Sequence, residues 1–237
     1  MLKRFEELSR TVRNLHSVTD LLKSMGENTD SVFDIEDNFR GSNQMKACVD
    51  RVKAIPEALA LMESRYLGPA IDLEALSQLS RGTLGHTYAT VMNALGYDPN
   101  FFRQREIETD EDWLTMRLRK THDLVHLVTG FGPTGGELGV LSIQAAQIGY
   151  PMGVMLQVAS IGMALKKQPE KLPDITQQIA RGMGMAIQMK KPLIAQRWED
   201  GLDKTVRQWR EDLNITDPVI DEPYSLKNRL PDLDLDW

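Results

Sequence analysis

The amino-acid sequence predicts an all-α protein: a single-domain helical bundle over residues 1–215, closed by an extended C-terminal arm over 216–237. Three observations predict it. Apolar residues recur at spacings of three and four along most of the 237-residue chain, the strict alternation of strands is nearly absent, and glycines or prolines punctuate the periodic stretches.

Each element follows from that pattern. Over residues 2–25, Phe5, Leu8, Val12, Leu15, Val18, Leu21, Leu22 and Met25 recur at helical spacing, and Gly26-Glu27-Asn28 ends the stretch. A helix is expected from about residue 43 to 55, stopped by Pro56, with shorter ones at 57–66 and 73–79. Residues 83–95 lie between Gly82 and Gly96, as a capped helix would. The longest well-marked helix covers 110–129, with Asp110, Glu111 and Asp112 at the positive end of its dipole. Thr134 opens the next, Pro151 interrupts the apolar stretch that follows, and another helix runs from Pro169 through residue 190. Residues 195–213 read as a closing helix with a charged outer face. Beyond Thr216, prolines and aspartates break every periodicity, so the arm is expected to lie on the surface or partly loose.

Composition excludes several function classes. Lys and Arg total 28 against 34 Asp and Glu, a net charge of −6, which lacks the electropositive footprint of nucleic-acid binding. The single Cys48 excludes an intramolecular disulfide framework and a thiolate-rich zinc cage. The first residues carry no apolar core of secretion-signal length, and Glu6 and Glu7 suit a transit peptide poorly, so an unexported, cytoplasmic protein is expected.

Residues 138–165 contain no charge, which raises a membrane question. Pro151 divides them into pieces of roughly 13 residues, short of the ~20 that a spanning helix needs. Gln144, Gln147 and Gln157 weaken a lipid-facing reading further, so a buried helical hairpin is expected. Small residues recur through it, including Gly139, Ser142, Ala146, Gly153 and Ala159. They allow close helix packing, or they leave a channel for a long apolar ligand. The channel reading names Gly139, Ile143, Ala146, Met155 and Ala159, with Met183 and Met185 as adaptable walls.

Two of the four histidines, His122 and His126, stand four apart in Lys120-Thr121-His122-Asp123-Leu124-Val125-His126. Residues so spaced lie on one helical face, where two imidazoles can close on one divalent cation. Asp123 flanks them, and the loop Gly130-Phe131-Gly132-Pro133-Thr134-Gly135-Gly136 could bring Glu137 back to the same point. Imidazole and carboxylate together suit zinc, iron or manganese, whereas magnesium more often takes carboxylates alone. The spacing resembles the HExxH helix of metalloproteases, but Asp123 is one methylene shorter than the glutamate there, which disfavours a peptidase base. A plain alternative stands beside this. The histidines could be amphipathic surface residues, and Thr134 with Glu137 forms a T-x-x-E capping box. The glycine loop could present N–H groups to an anion, but no Walker lysine follows, and a tight interhelical turn is favoured. Arg117, Lys120 and Arg181 are the candidate partners of an acidic head group. His16 and His86 have no partners in sequence and read as ordinary core or surface histidines.

These residues resemble the coenzyme Q biosynthesis protein 4 family. The likeness rests on the HDxxH helix, the Gly/Pro loop and the glutamate after it. It extends to Arg81-Gly82-Thr83-Leu84-Gly85-His86-Thr87-Tyr88 and to Arg197-Trp198-Glu199-Asp200 leading to Leu213-Asn214-Ile215, and so spans about residues 50–215. One feature departs from the pattern: ten residues separate His126 from Glu137, where the family has eleven. The resemblance implies a mostly helical fold and a divalent metal, zinc first and magnesium, iron or manganese as alternatives, on His122, Asp123, His126 and Glu137. It implies action in ubiquinone biosynthesis on a polyprenylated aromatic acid, by oxidative decarboxylation at ring C1, with Asp123 or Glu137 ligating or handling protons. It also implies isoprenoid-lipid binding, other quinone-biosynthesis proteins as partners, and peripheral membrane contact (at the mitochondrial inner membrane in eukaryotic members). A homodimer is expected from base rates for such helical, Met-rich surfaces. The rival expectations are a non-catalytic lipid-binding scaffold with a structural metal and a helical interaction module with none.

Overall fold

A computed structural model describes residues 29–133, 135–233 and 235. Among these the chain forms helices α1 (Thr29–Asn38), α2 (Asn43–Lys53), α3 (Pro56–Glu63), α4 (Leu73–Ser77), α5 (Leu84–Leu95) and α6 (Asp110–Thr129). They continue as α7 (Glu137–Ile148), α8 (Pro151–Lys167), α9 (Leu172–Gln188), α10 (Val206–Leu213) and α11 (Leu226–Arg229). No strand is formed among the described residues, so the all-α expectation holds. The helix expected over 2–25 lies outside them, as does His16.

Local chemistry explains where the helices start and stop. Ser42, Asp72 and Thr83 each accept a hydrogen bond from the N–H three residues on, at the heads of α2, α4 and α5. Thr109 and Asp112 close a full capping box on α6, which ends where Gly130 takes φ +84°. Two elements differ from expectation. Helix α1 carries no strong sequence signal. Tertiary contacts hold it: Glu36 pairs with Arg119 and accepts from the Tyr150 hydroxyl, while Arg103 and Arg105 pair with Asp37. The stretch 195–213 is not one helix. A 3-10 turn at Leu193–Ala195 leads into it, another at Trp198–Gly201 interrupts it, and α10 restarts behind a second capping box of Thr205 and Gln208.

Helix α6 runs between two apolar clusters. Its first half gives Trp113, Leu114 and Leu118 to a cluster with Ile35, Val52, Leu61, Tyr150 and Leu156. Its second half gives Leu124, Val125, Leu127 and Val128 to another with Tyr88, Phe131, Val140, Ile143, Trp198 and Trp209. The segment after α10 joins this second cluster through Val219, Tyr224 and Leu226, all buried.

Gly153 and Gly182 let α7, α8 and α9 pack closely. A Cβ on Gly182 of α9 would lie 2.2 Å from the Gly139 carbonyl oxygen of α7, and one on Gly153 would lie 2.8 Å from that of Leu141. The outer faces of α8 and α9 expose Val154, Val158, Leu165, Met183 and Ile187. No helix among the described residues is long and apolar enough to cross a membrane.

Candidate metal centre

One turn of α6 stacks His122 and His126, and the glycine loop returns the chain so that Glu137, the first residue of α7, faces both. The Nε2 atoms of the two histidines are 3.1 Å apart. The Glu137 Oε2 atom lies 3.3 Å from His122 Nε2 and 3.2 Å from His126 Nε2. His126 Nδ1 sits 2.9 Å from the Phe131 carbonyl. A carbonyl only accepts, so Nδ1 carries the proton and the neutral ring presents a lone pair at Nε2.

This triangle is short of protons. A proton on His122 Nε2 serves one contact at a time, while His126 Nε2 and Glu137 face each other as two acceptors. A shared cation would satisfy every edge. Ligand bonds of about 2.0–2.1 Å in a tetrahedron put ligand atoms about 3.3 Å apart, close to the 3.1–3.3 Å found. The donor set therefore fits a divalent metal. His126 is 4% exposed, but His122 is 30% and Glu137 38% exposed, so the cluster opens to solvent on one side.

Without an ion, a proton takes the place of the cation between these groups. Burial disfavours a charged His122, but the Glu137 carboxylate outweighs it, aided by Asp123 and Glu36, and lifts its pKa to about 9. Burial would raise Glu137, yet the two imidazoles hold it well below the usual carboxylate range. The one-residue shortening of the loop does not remove Glu137 from the cluster.

Three of the four expected ligands are brought together: among the described residues, His122, His126 and Glu137 form the one such group. Asp123 stands outside that group, and with burial it pushes the Tyr88 phenol pKa up. The reason is geometric, since neighbours on a helix point about 100° apart. The alternative capping box of Thr134 and Glu137 involves a residue outside the described ones; α7 begins at Glu137, preceded by Gly136 with no side-chain cap. The loop is an interhelical turn, with Gly130 and Gly135 at positive φ.

The head-group cations are not gathered here. Arg117, fully buried, pairs with Glu199 and donates to the Gln196 carbonyl. Lys120 donates to the carbonyls of Gly68 and Pro69, and Arg181 pairs with Asp217 and Glu222. The lipid-lining residues are dispersed as well. Gly139 packs on the Phe131 ring, and Ile143 and Met185 belong to the second cluster. Met155 and Ala159 border the first cluster, whereas Ala146 and Met183 are exposed. Sequence reasoning missed the Phe131 carbonyl, because a backbone acceptor leaves no mark in residue type.

Residues 41–219 match the family described as Coenzyme Q (ubiquinone) biosynthesis protein Coq4. A ubiquinone biosynthesis protein COQ4 of Eremothecium gossypii is 32% identical over 154 residues, 63% of this chain and 46% of its own length. A homolog from Aedes aegypti is 27% identical over 202 residues, 83% of this chain and 68% of its own. Both relatives are named as mitochondrial. The chain thus spans about half the length of the fungal relative. The crystal structure of a protein from Nostoc punctiforme, ascribed to ubiquinone biosynthesis, superposes with a TM-score of 0.79 at 33% identity. That match covers 87% of this chain and 99% of the other. The matched span contains the histidine helix, the loop and Glu137, and the chain belongs to the Coq4 family of coenzyme Q (ubiquinone) biosynthesis proteins.

Proposed function

We propose that this chain is a metal-dependent enzyme of quinone biosynthesis that takes a prenylated aromatic acid and promotes oxidative decarboxylation of its head group, the ring carboxylate leaving as CO2 and a hydroxyl taking its place at the expense of an external two-electron oxidant of the dioxygen class. The observation that carries the reading is the 3.1–3.3 Å triangle of His122, His126 and Glu137. A bound divalent ion, zinc first and iron, manganese or magnesium as alternatives, would supply Lewis-acid polarisation of a carboxylate or phenolate. The two imidazoles and Glu137 would hold it. The Phe131 carbonyl orients His126, while Asp123 stands outside the triangle beside Tyr88. The isoprenoid tail would lie against the apolar faces of α8 and α9.

Those faces also suit peripheral membrane contact. Residues 151–191 carry six Lys and Arg against two Asp and Glu, in a chain whose net charge is −6. Exposed Lys166, Lys167 and Lys171 stand at one end of the hairpin and Lys190 and Lys191 at the other, as an anionic lipid surface would require. A second copy of the chain is the alternative cover, read out by oligomeric state.

The test is elemental analysis of purified protein beside His122→Ala and His126→Ala. Both variants should lose the ion and the quinone product while keeping fold and lipid binding. Unchanged quinone synthesis in them would overturn the enzymatic reading. A scaffold that organises other quinone-biosynthesis proteins around a structural metal is the second reading. It is favoured by Arg117, Lys120 and Arg181 all being engaged within the protein.

A further inference from the structure

The loop joining the histidine helix to the glutamate helix is rich in glycine, at 130, 132, 135 and 136, and such a chain samples many backbone conformations unless something selects one. The segment after α10 makes that selection. The Val219 N–H donates to the Thr129 carbonyl at 2.9 Å, and the Leu226 N–H donates to that of Gly130 at 2.8 Å. In return the Gly132 N–H donates to the Tyr224 carbonyl at 2.9 Å, and Phe131 and Ser225 form an antiparallel bridge. The rings of Phe131 and Tyr224 stack, with centroids 6.1 Å apart and planes 17° from parallel. The fit leaves no room for side chains. A Cβ on Gly130 would lie 2.2 Å from the Val219 carbonyl oxygen, and one on Gly136 would lie 2.7 Å from that of Tyr224.

Both ends of the loop matter chemically. Phe131 gives His126 Nδ1 its acceptor, and Gly136 immediately precedes Glu137. We propose that residues 217–226 are a positioning strap: by pinning Phe131 and Gly136 they fix the tautomer of His126 and the placement of Glu137, so that metal affinity depends on a segment that supplies no ligand. The inference rests on the metal reading for its consequence, but the contact with His126 is testable without metal. Tyr224 is a positioning residue here, acting through Phe131.

Three proteins are compared with wild type: Tyr224→Ala, which removes the stacked ring, Tyr224→Phe, which keeps it, and Gly130→Ala, whose methyl drives against Val219. Far-ultraviolet circular dichroism confirms that each is folded at the assay temperature. Cobalt(II) binding is followed by visible absorption, and the His126 Nδ1 proton by long-range 1H–15N NMR of metal-free protein. Wild type and Tyr224→Phe should show the Nδ1–H tautomer and equal affinity. Tyr224→Ala and Gly130→Ala should lose the fixed tautomer and bind cobalt about 10–100-fold more weakly, as loss of an outer-shell partner does. Unaltered cobalt affinity and spectrum in folded Tyr224→Ala and Gly130→Ala would overturn the strap. So would an Nε2–H tautomer in wild type, which needs no variant at all. Failure of wild type to bind cobalt, zinc, iron, manganese or magnesium would instead remove the metal reading and with it the strap's consequence for affinity. The tautomer measurement would then judge the contact alone.

Discussion

Gly182 and Gly184 lie two residues apart on α9, and alanine should move stability in opposite directions at the two. An added methyl at Gly184 meets nothing within 4 Å. Replacing glycine there should stabilise by about 0.5–1 kcal/mol, through the smaller freedom of the unfolded chain. At Gly182 the same methyl would sit 2.2 Å from the Gly139 carbonyl oxygen and 2.8 Å from Ser142 Cβ. Unbonded heavy atoms are at ease near roughly 3.5 Å, so α7 and α9 must part by about 1 Å. Overpacking of that kind costs about 1–3 kcal/mol, against which the helix gain offsets up to about 1. Urea unfolding should therefore separate the two variants by roughly 1–3 kcal/mol, with Gly182→Ala the less stable. Since Gly139 is two residues from Glu137 on α7, cobalt affinity should fall in Gly182→Ala alone. Equal stability of the two variants would refute the reasoning. It would mean that the small residues leave open space between these helices, which is what a tail channel requires.

Arg117→Ala should cost about 3–5 kcal/mol in urea unfolding, because it strands the buried carboxylate of Glu199; an Arg117→Met, Glu199→Met double variant should be far milder. Acid unfolding should report Asp112. Burial disfavours its charge, but the Thr109 hydroxyl and N–H, with Arg40 and Arg105, outweigh that and hold its pKa below the ordinary Asp value. Its stabilisation is present above the unfolded pKa of about 3.9 and is lost as pH falls through the lower folded value. Asp112→Asn should thus be weaker than wild type by about 1 kcal/mol at pH 7, and the gap should close below about pH 4. Cys48 is buried, and burial, opposed by Arg51 and aided by Glu111, pushes its thiol up to about 12. A thiol reagent at pH 8 should leave the native chain untouched and label it once in urea.

Legibility in the sequence followed the range of the interactions involved. Helices set by local periodicity and caps, such as α5 between Thr83 and Gly96 or α6 behind Thr109, could be read directly. So could the juxtaposition of His122 and His126, which needs only helical geometry. Asp123 shows the limit of reading a motif as a string, since adjacent residues cannot share a face. The break in 195–213 has a local signal: Gly201 closes one turn, and Thr205 with Gln208 opens the next helix. Helix α1 was invisible because its partners lie far along the chain: Arg103, Arg105 and Arg119 in the stretch leading to and along α6, and Tyr150 beyond it. The engagement of Arg117, Lys120 and Arg181, and the docking of Tyr224 on Phe131, were beyond reach for the same reason.

The division of α6 between two apolar clusters has a consequence for how the chain comes apart. Trp113 to Leu118 are locked by one compartment and Leu124 to Val128 by the other, with His122 between the two stretches and His126 within the second. Neither compartment can melt without uncovering half of the same rod, so thermal opening of either one should tug at the ligands before the remaining half has yielded. An ion held there would act as a rivet beside the seam, adding to the join that α7 makes through Leu141 on one side and Val140 and Ile143 on the other.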